Sequence, residues 1–203
     1  MHFIYLNLIS DINSHDPETL IKSSHLPHPL FIELSKNPKI SLRIVQRATF
    51  NASKNFENVT YNFLKDEFDP TLLWWQEPIT VIEHISKLKP DVILVRGLNL
   101  PLQFRWLRRE VGKKIIIIGE HTGEPFWASR NLWLQQFGLR VVDGFIFQDL
   151  KKAHSWTKAS VILDKQPIVK LLLSSKDTKA TRKSLINFYE TLLTTRDTKS
   201  TKI

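Results

Sequence analysis

The chain has no cysteine. That excludes a disulfide framework, a thiolate zinc site and a cysteine nucleophile, and it fits a reducing compartment such as the cytoplasm. Long apolar runs are missing as well. The longest, DVILV and KKIIIIG, are strand-sized and far short of the roughly 20 residues a bilayer-spanning helix needs. The opening MHFIYLNLI is apolar but carries neither a basic n-region nor a small-residue cleavage site, so it reads as a first strand rather than a signal peptide. No GxGxxG follows that strand and no P-loop pattern occurs anywhere, which leaves phosphate cradles of those kinds unsupported. HExxH and GxSxG are absent too. His25 and His28 lie close together in HLPH, but a proline sits between them and no partner carboxylates accompany them, so no metal and no cofactor is expected. The adjacent Asp66 and Glu67 read as a solvated turn rather than an acid/base pair.

What is present is an ordinary globular composition. The chain has 203 residues, 42% of them hydrophobic, enough for one domain with a proper core. The net charge of +9 is unevenly placed. Residues 1–150 hold 17 Lys/Arg against 16 Asp/Glu, whereas residues 151–203 hold 12 against 4. A basic tail of this kind is either a solvated segment or a contact for an anionic membrane surface. Nucleic-acid modules interleave aromatics with their basic residues. Here the tail offers only Trp156, Phe188 and Tyr189, so no nucleic acid is expected as a partner.

Strands are expected at 2–9, 41–48, 59–64, 91–96, 114–120 and 142–147. DVILVR and KIIIIGE are continuous and β-branched, as in strands buried on both faces of a parallel sheet. Between them Leu100, Phe104, Leu107 and Val111 recur at helical spacing, with Pro101 at the first helical position and Gly112 where the helix ends. Upstream, Ile79, Ile82, Ile85 and Leu88 mark another amphipathic helix that Pro90 closes. PLFIELSK reads as a helix after a long polar connection over residues 10–28, a length that points to function. Alternating strands and helices with short loops predict a single Rossmann-like, doubly wound α/β domain: a mainly parallel sheet, helices on both faces, and a C-terminal helix. The expected boundaries are 1–163 for the domain and 164–203 for a linker, an amphipathic helix (Leu185, Phe188, Tyr189, Leu192, Leu193) and a basic tail.

Residues 89–159 carry a more specific pattern. A KPDVI-type strand ends in a polar loop at Arg96, and a strand over 113–122 ends in a His-containing loop. A strand VDGFIF then leads into a helix bearing Trp156. This resembles the N-terminal, acceptor-side domain of a GT-B-fold, family-4-like glycosyltransferase, and residues 161–175 resemble the segment that crosses to the second domain. The second, donor-binding domain of that family has no counterpart in these residues, so the chain looks like such an enzyme with its donor domain removed. The resemblance implies transfer of a sugar from a nucleotide-sugar donor to a carbohydrate or lipid-linked acceptor, with a donor-domain protein as a partner and a cytoplasmic, peripherally membrane-associated location.

The resemblance also implies site residues. His121 matches the family's cleft histidine, where an imidazole contacts the developing oxyanion or the donor sugar; a loop histidine that only caps a strand end is the other reading. Glu120 and Glu124 flank it, and a carboxylate in a cleft suits a base toward an acceptor hydroxyl. Arg96 suits a phosphate or carboxylate, or else pairs with Glu120 as a structural bridge. Gly97 and Gly123 permit tight turns or close approach of a ligand. Trp127 and Arg130 follow the His121 loop, where an aromatic can stack on a sugar face. His25 and His28 match the acceptor-side loop by position. Trp74, Trp75, Trp106, Trp133 and Trp156 read as packing. An enzyme that needs a partner is expected to show an exposed apolar face near 165–193. A non-catalytic acceptor-binding or interaction protein is expected to show a cleft in which His121 and Arg96 do not converge.

Overall fold

A computed structural model describes residues 1–9, 16–23, 28–68, 71–127, 131–171 and 177–200, without the side chains of residues 23, 28 and 195–200. The chain runs β1 (His2–Asn7), α1 (Pro17–Ser23), α2 (His28–Ser35), β2 (Ser41–Arg47), β3 (Ala52–Phe56), β4 (Val59–Leu64) and α3 (Ile79–Lys87). It continues through β5 (Val92–Arg96), α4 (Pro101–Val111), β6 (Ile116–Glu120), α5 (Leu132–Leu139), β7 (Gly144–Phe147), α6 (Leu150–Lys158), β8 (Ile168–Lys170) and α7 (Thr178–Ser200). The strands form one sheet in the order β3-β4-β2-β1-β5-β6-β7-β8. Every pair is parallel except β3–β4. The expected doubly wound α/β architecture is present, with the strand order reversing at β1/β5.

All six expected strands form. β3 and β8 were not anticipated. ASKNF is polar and mostly exposed, so it shows none of the apolar alternation that marks a half-buried strand. It exists because β4 offers it a free edge across a two-residue turn, in which Glu57 and Asn58 both take positive φ, 47° and 65°. β8 has only three residues, and Ile168 and Val169 are half-buried. The region beyond residue 163 is joined to the sheet through β8 and through α7. α5 and α1 were also unanticipated; α1 lies inside the long 10–28 connection.

Strand alternation sorts the core into two layers. On one face Phe3, Tyr5, Ile44, Leu94, Ile118 and Ile146 pack beneath Leu30, Phe31 and Leu34 of α2 and Leu185, Phe188 and Leu192 of α7. On the other, Leu6, Val95, Ile117, Phe145 and Phe147 pack against Val81, Ile82 and Ile85 of α3, Phe104 and Leu107 of α4, and Trp156 of α6. Ile79 departs from its expected place: at the first position of α3 it points to solvent, and Val81 is buried instead. Asp66 departs as well, since it is buried in an ion pair with Arg47 (2.6 Å) rather than solvated. Among the described residues no helix is long and apolar enough to cross a membrane.

α5 lies against α4 with Leu139 in the shared core, and one residue permits the approach. A Cβ at Gly138 would stand 2.3 Å from the backbone oxygen of Pro101. Backbone cannot swing aside as a side-chain tip can, so the two helices must separate. Alanine has the higher helix propensity by about 1 kcal/mol, but overpacking costs about 1–3 kcal/mol. Gly138→Ala is therefore expected to lower stability in urea denaturation, despite its better propensity. An unchanged or higher midpoint would show that the α4–α5 contact is not tight.

Candidate functional site

Four polar side chains stand side by side where the parallel strands end. The register pairs Gln46 with Asn7, Asn7 with Arg96, and Arg96 with Glu120. Alternation puts all four on the α2/α7 face, one step beyond the apolar layer of Tyr5, Leu94 and Ile118. They straddle β1/β5, the position where open α/β sheets bind ligands. Gln46, Asn7 and Glu120 are buried at 3%, 4% and 5% exposure, whereas Arg96 is half-buried.

Glu120 is the chemically distinctive member. Its Oε2 accepts a hydrogen bond from the Tyr5 hydroxyl at 2.8 Å. Burial disfavours its charged form and raises its pKa to about 7, while the Tyr5 hydrogen bond and the Arg96 charge oppose that rise and Glu124 adds to it. Burial, followed by the nearby carboxylate, pushes the Tyr5 phenol well above its ordinary value, so it remains a donor. A carboxyl that titrates near neutrality can take up or release a proton at physiological pH. Arg96 lies close enough to act on both groups electrostatically, yet among the described residues it makes no ion pair within 4.0 Å. The expected alternative of an Arg96–Glu120 bridge is thus not formed.

His121 leaves the sheet on the opposite face. It is 2% exposed, stacked on Phe147 (4.6 Å, 17°) and edge-on to Trp156 (5.4 Å). Its Nε2 lies 2.8 Å from the backbone oxygen of Glu124. The Glu124 carboxylate is consumed locally: Oε1 accepts from the Leu98 N–H, and Oε2 from the N–H (2.7 Å) and hydroxyl (2.8 Å) of Thr122. His121 and Glu124 together therefore brace the loop after β6 against the loop after β5. Gly97 bridges the two strand ends, donating its N–H to the Glu120 carbonyl at 2.9 Å with φ of 81°, a conformation other residues adopt only under strain. Gly123 turns the loop with φ of 116°. Trp127 is half-buried, its backbone N–H donating to Gln135 Oε1 (2.8 Å) and its ring meeting Trp74 edge-on at 5.9 Å.

Sequence reasoning thus named Arg96, Gly97 and Glu120, and the structure brings these three together. His121 and Arg96 do not converge. His28 opens α2, but its side chain, like all of His25 and Arg130, lies outside the described residues. Tyr5, Asn7 and Gln46 were missed; the only signal was a polar residue interrupting an apolar strand just before its end. On the α4 side of the switch point, Leu8, Ile9, Gly97 and Leu100 close the crevice to about 10 Å³, room for about one water. Among the described residues, no group of three or more His, Asp or Glu is placed to hold a metal.

A second feature of this edge is its apolar rim. Ile9, Leu73, Trp75, Phe126, Trp133 and Leu150 are all 37–60% exposed, and each lies in a connection that follows a strand's carboxyl end or in the first turn of the helix after it. The exposed apolar surface expected near 165–193 is found here instead, because the apolar face of α7 is spent on the core.

No protein-family model matches the chain, and no curated protein matches it. Among solved structures, the lipopolysaccharide outer core galactosyltransferase WaaB in its apo form is 12% identical with a TM-score of 0.52; the match covers 83% of this chain and 45% of that one. The E. coli trehalose-6-phosphate protein bound with UDP-2-fluoro glucose is 13% identical (TM-score 0.46, 78% and 42% covered). Anabaena Alr3699/HepE in complex with UDP is 9% identical (TM-score 0.47, 83% and 43% covered). The likeness to WaaB shows a shared Rossmann-like α/β fold, and the chain spans just under half of that protein's length.

The Glu120 titration is testable through stability. Because folding raises this pKa from 4.5 to about 7, the native state holds the proton more tightly than the unfolded chain does. The neutral carboxyl's contribution is fully present below pH 4.5 and is lost as pH rises through 7, on the order of 3 kcal/mol in all. Glu120→Gln is expected to abolish that loss, so its stability relative to the parent should grow from pH 5 to pH 8. Tyr5→Phe removes a donor to the ionised form and should move the same transition to higher pH. A constant difference between parent and Glu120→Gln across this range would place the carboxyl at an ordinary pKa.

Proposed function

We propose that these residues form the acceptor-side half of a GT-B glycosyltransferase. In this reading a sugar passes from a nucleotide-sugar donor to a carbohydrate or lipid-linked acceptor, and a donor-binding half closes over the carboxyl edge. The observation that carries it is the Arg96–Glu120 pair, a guanidinium beside a neutral-titrating carboxyl at the switch point of a glycosyltransferase-like fold. The apolar rim supports a second body at the same edge, since exposed apolar surface of this kind marks interaction sites.

Glu120 in its ionised form removes the proton of the acceptor hydroxyl as that oxygen bonds to the anomeric carbon and the nucleoside diphosphate departs. Arg96 supplies positive charge to a phosphate or carboxylate on either substrate. His121 works as a positioning residue, holding the Thr122–Glu124 turn through the Glu124 carbonyl. Gly97 and Gly123 set the loop path, Trp127 follows on the acceptor side, and Arg130, His25 and His28 are assigned to that side by the family resemblance alone. The basic segment 151–203 favours peripheral contact with an anionic membrane from the cytoplasm.

One observation favours a second reading. His121 and Arg96 lie on opposite faces, which suits a non-catalytic acceptor-binding or interaction protein of glycosyltransferase descent.

Glycan-array binding followed by calorimetry tests both. Saturable glycan binding that falls at least about tenfold in Arg96→Gln supports an acceptor site, as expected when a charged hydrogen bond is lost. Transfer of labelled sugar to that glycan once a donor half is supplied, abolished by Glu120→Gln while the glycan still binds, supports catalysis. Binding without transfer selects the second reading. A cooperatively folded chain that binds neither glycan nor nucleotide sugar refutes both.

A further inference from the structure

The row across the strand ends holds more polar capacity than its own residues use. Gln46 is 3% exposed, and among the described residues its Oε1 has no hydrogen-bond partner. A buried orphan acceptor is uncommon and calls for a donor from water or a ligand. The guanidinium two strands away is likewise without an ion pair among the described residues. Glu120, its partner in the register, is already engaged by the Tyr5 hydroxyl. Glu124 offers no alternative, because the Leu98 and Thr122 groups occupy both its oxygens. Asn7, between the two, uses Oδ1 to hold the Ile9 N–H at 3.1 Å, which fixes its carboxamide in the row. Among the described residues, a donor of fixed charge without an ion pair and a neutral acceptor without a hydrogen bond are thus held on one face, on strands in register.

We propose that Gln46, Asn7 and Arg96 form a subsite for an anionic sugar, a hexose carrying a phosphate or a carboxylate, with the anion on Arg96 and a ring hydroxyl donating to Gln46 Oε1. Adjacent strands lie about 4.8 Å apart, so Arg96 and Gln46 are separated by about 10 Å of backbone, within the span of a substituted hexose. The half-buried Arg96 is the accessible end and the buried carboxamides are the inner end. Charge favours an anion over a cation, because the one acid in the row is buried and hydrogen-bonded while the guanidinium always carries its charge. Hydroxyls rather than further anions suit the inner end, where Gln46 presents an acceptor. This assignment rests on the acceptor-side reading of the same edge and specifies its ligand.

Calorimetric titration of the full chain with glucose, glucose 6-phosphate, glucuronate and inorganic phosphate tests it. The expected result is that at least one of the two charged sugars binds at least about tenfold more tightly than glucose, and more tightly than phosphate alone. The phosphate and carboxylate arms identify which anion the subsite takes. Arg96→Gln should bring the charged sugars down to the affinity of glucose. Gln46→Leu, which removes the orphan amide oxygen in favour of an apolar side chain and should fold, is expected to weaken every sugar several-fold and leave phosphate unchanged. Equal affinities for glucose and both charged sugars overturn the proposal, as does a preference that survives Arg96→Gln. Phosphate binding as tightly as glucose 6-phosphate also overturns it, since no sugar is then read. The outcomes separate from those of the transfer assay: a neutral glycan that binds and is glycosylated keeps the transferase reading and sinks this one, while anionic-sugar binding without transfer does the reverse.

Discussion

A carboxyl group at the end of a buried strand needs a donor, a counter-charge or a proton, and the arrangement of this edge follows from how Glu120 is supplied. The donor comes from Tyr5, on a strand that is not its neighbour, and reaches it past β5. The contact joins residues 115 positions apart and closes over the place where the strand order reverses. Because the phenol satisfies one oxygen while burial withholds full solvation, the carboxyl is held between its two charge states. Arg96, beside it in the register, is left available rather than neutralised. Had Arg96 and Glu120 formed a tight ion pair, both would be structural and the edge chemically quiet.

Strand alternation then divides the work of the edge between two faces. Glu120 and His121 are consecutive, so a strand that presents the first to the polar row must present the second to the opposite layer. There the imidazole is an aromatic filler between Phe147 and Trp156 and an anchor for the Glu124 carbonyl. The loop it holds carries the Glu124 carboxylate that ties down the Leu98 N–H, next to Gly97. One face faces the chemistry, and the other keeps the loops of β5 and β6 in fixed relation.

Much of this was legible in the sequence. Six strands and the helices at 79–87, 101–111 and 150–158 announce themselves through apolar period and proline and glycine punctuation. Arg96 and Glu120 could be picked as polar residues that terminate apolar strands. What could not be read was relative placement. Tyr5 looks like a core aromatic, and Asn7 and Gln46 look like strand ends, until register sets them beside Arg96. His121 drew attention through its loop position, while its burial depends on Phe147 and Trp156, which arrive 26 and 35 residues later. β3 was invisible for a different reason: its mostly exposed, polar sequence touches the core only through the small Ala52, and the adjacent edge of β4 makes it a strand. The apolar segment at 185–193 suggested a sticky surface, but Gly144 leaves room above the sheet for Phe188 and Leu192 to settle into the core.

The hairpin that creates β3 also governs how the molecule can meet others. Open sheets are prone to grow by accepting a foreign strand along an unpaired margin. Here one margin is the short β3, whose Lys54 is tied to Glu18 and whose outward residues are polar apart from the terminal Phe56. The other is β8, three residues long and ending in Lys170. Neither offers the flat apolar ladder that amyloid-like stacking or strand exchange requires. Association is steered away from the backbone margins and toward the aromatic crest at the strand ends, so the surface that invites a partner is the one beside the buried carboxyl.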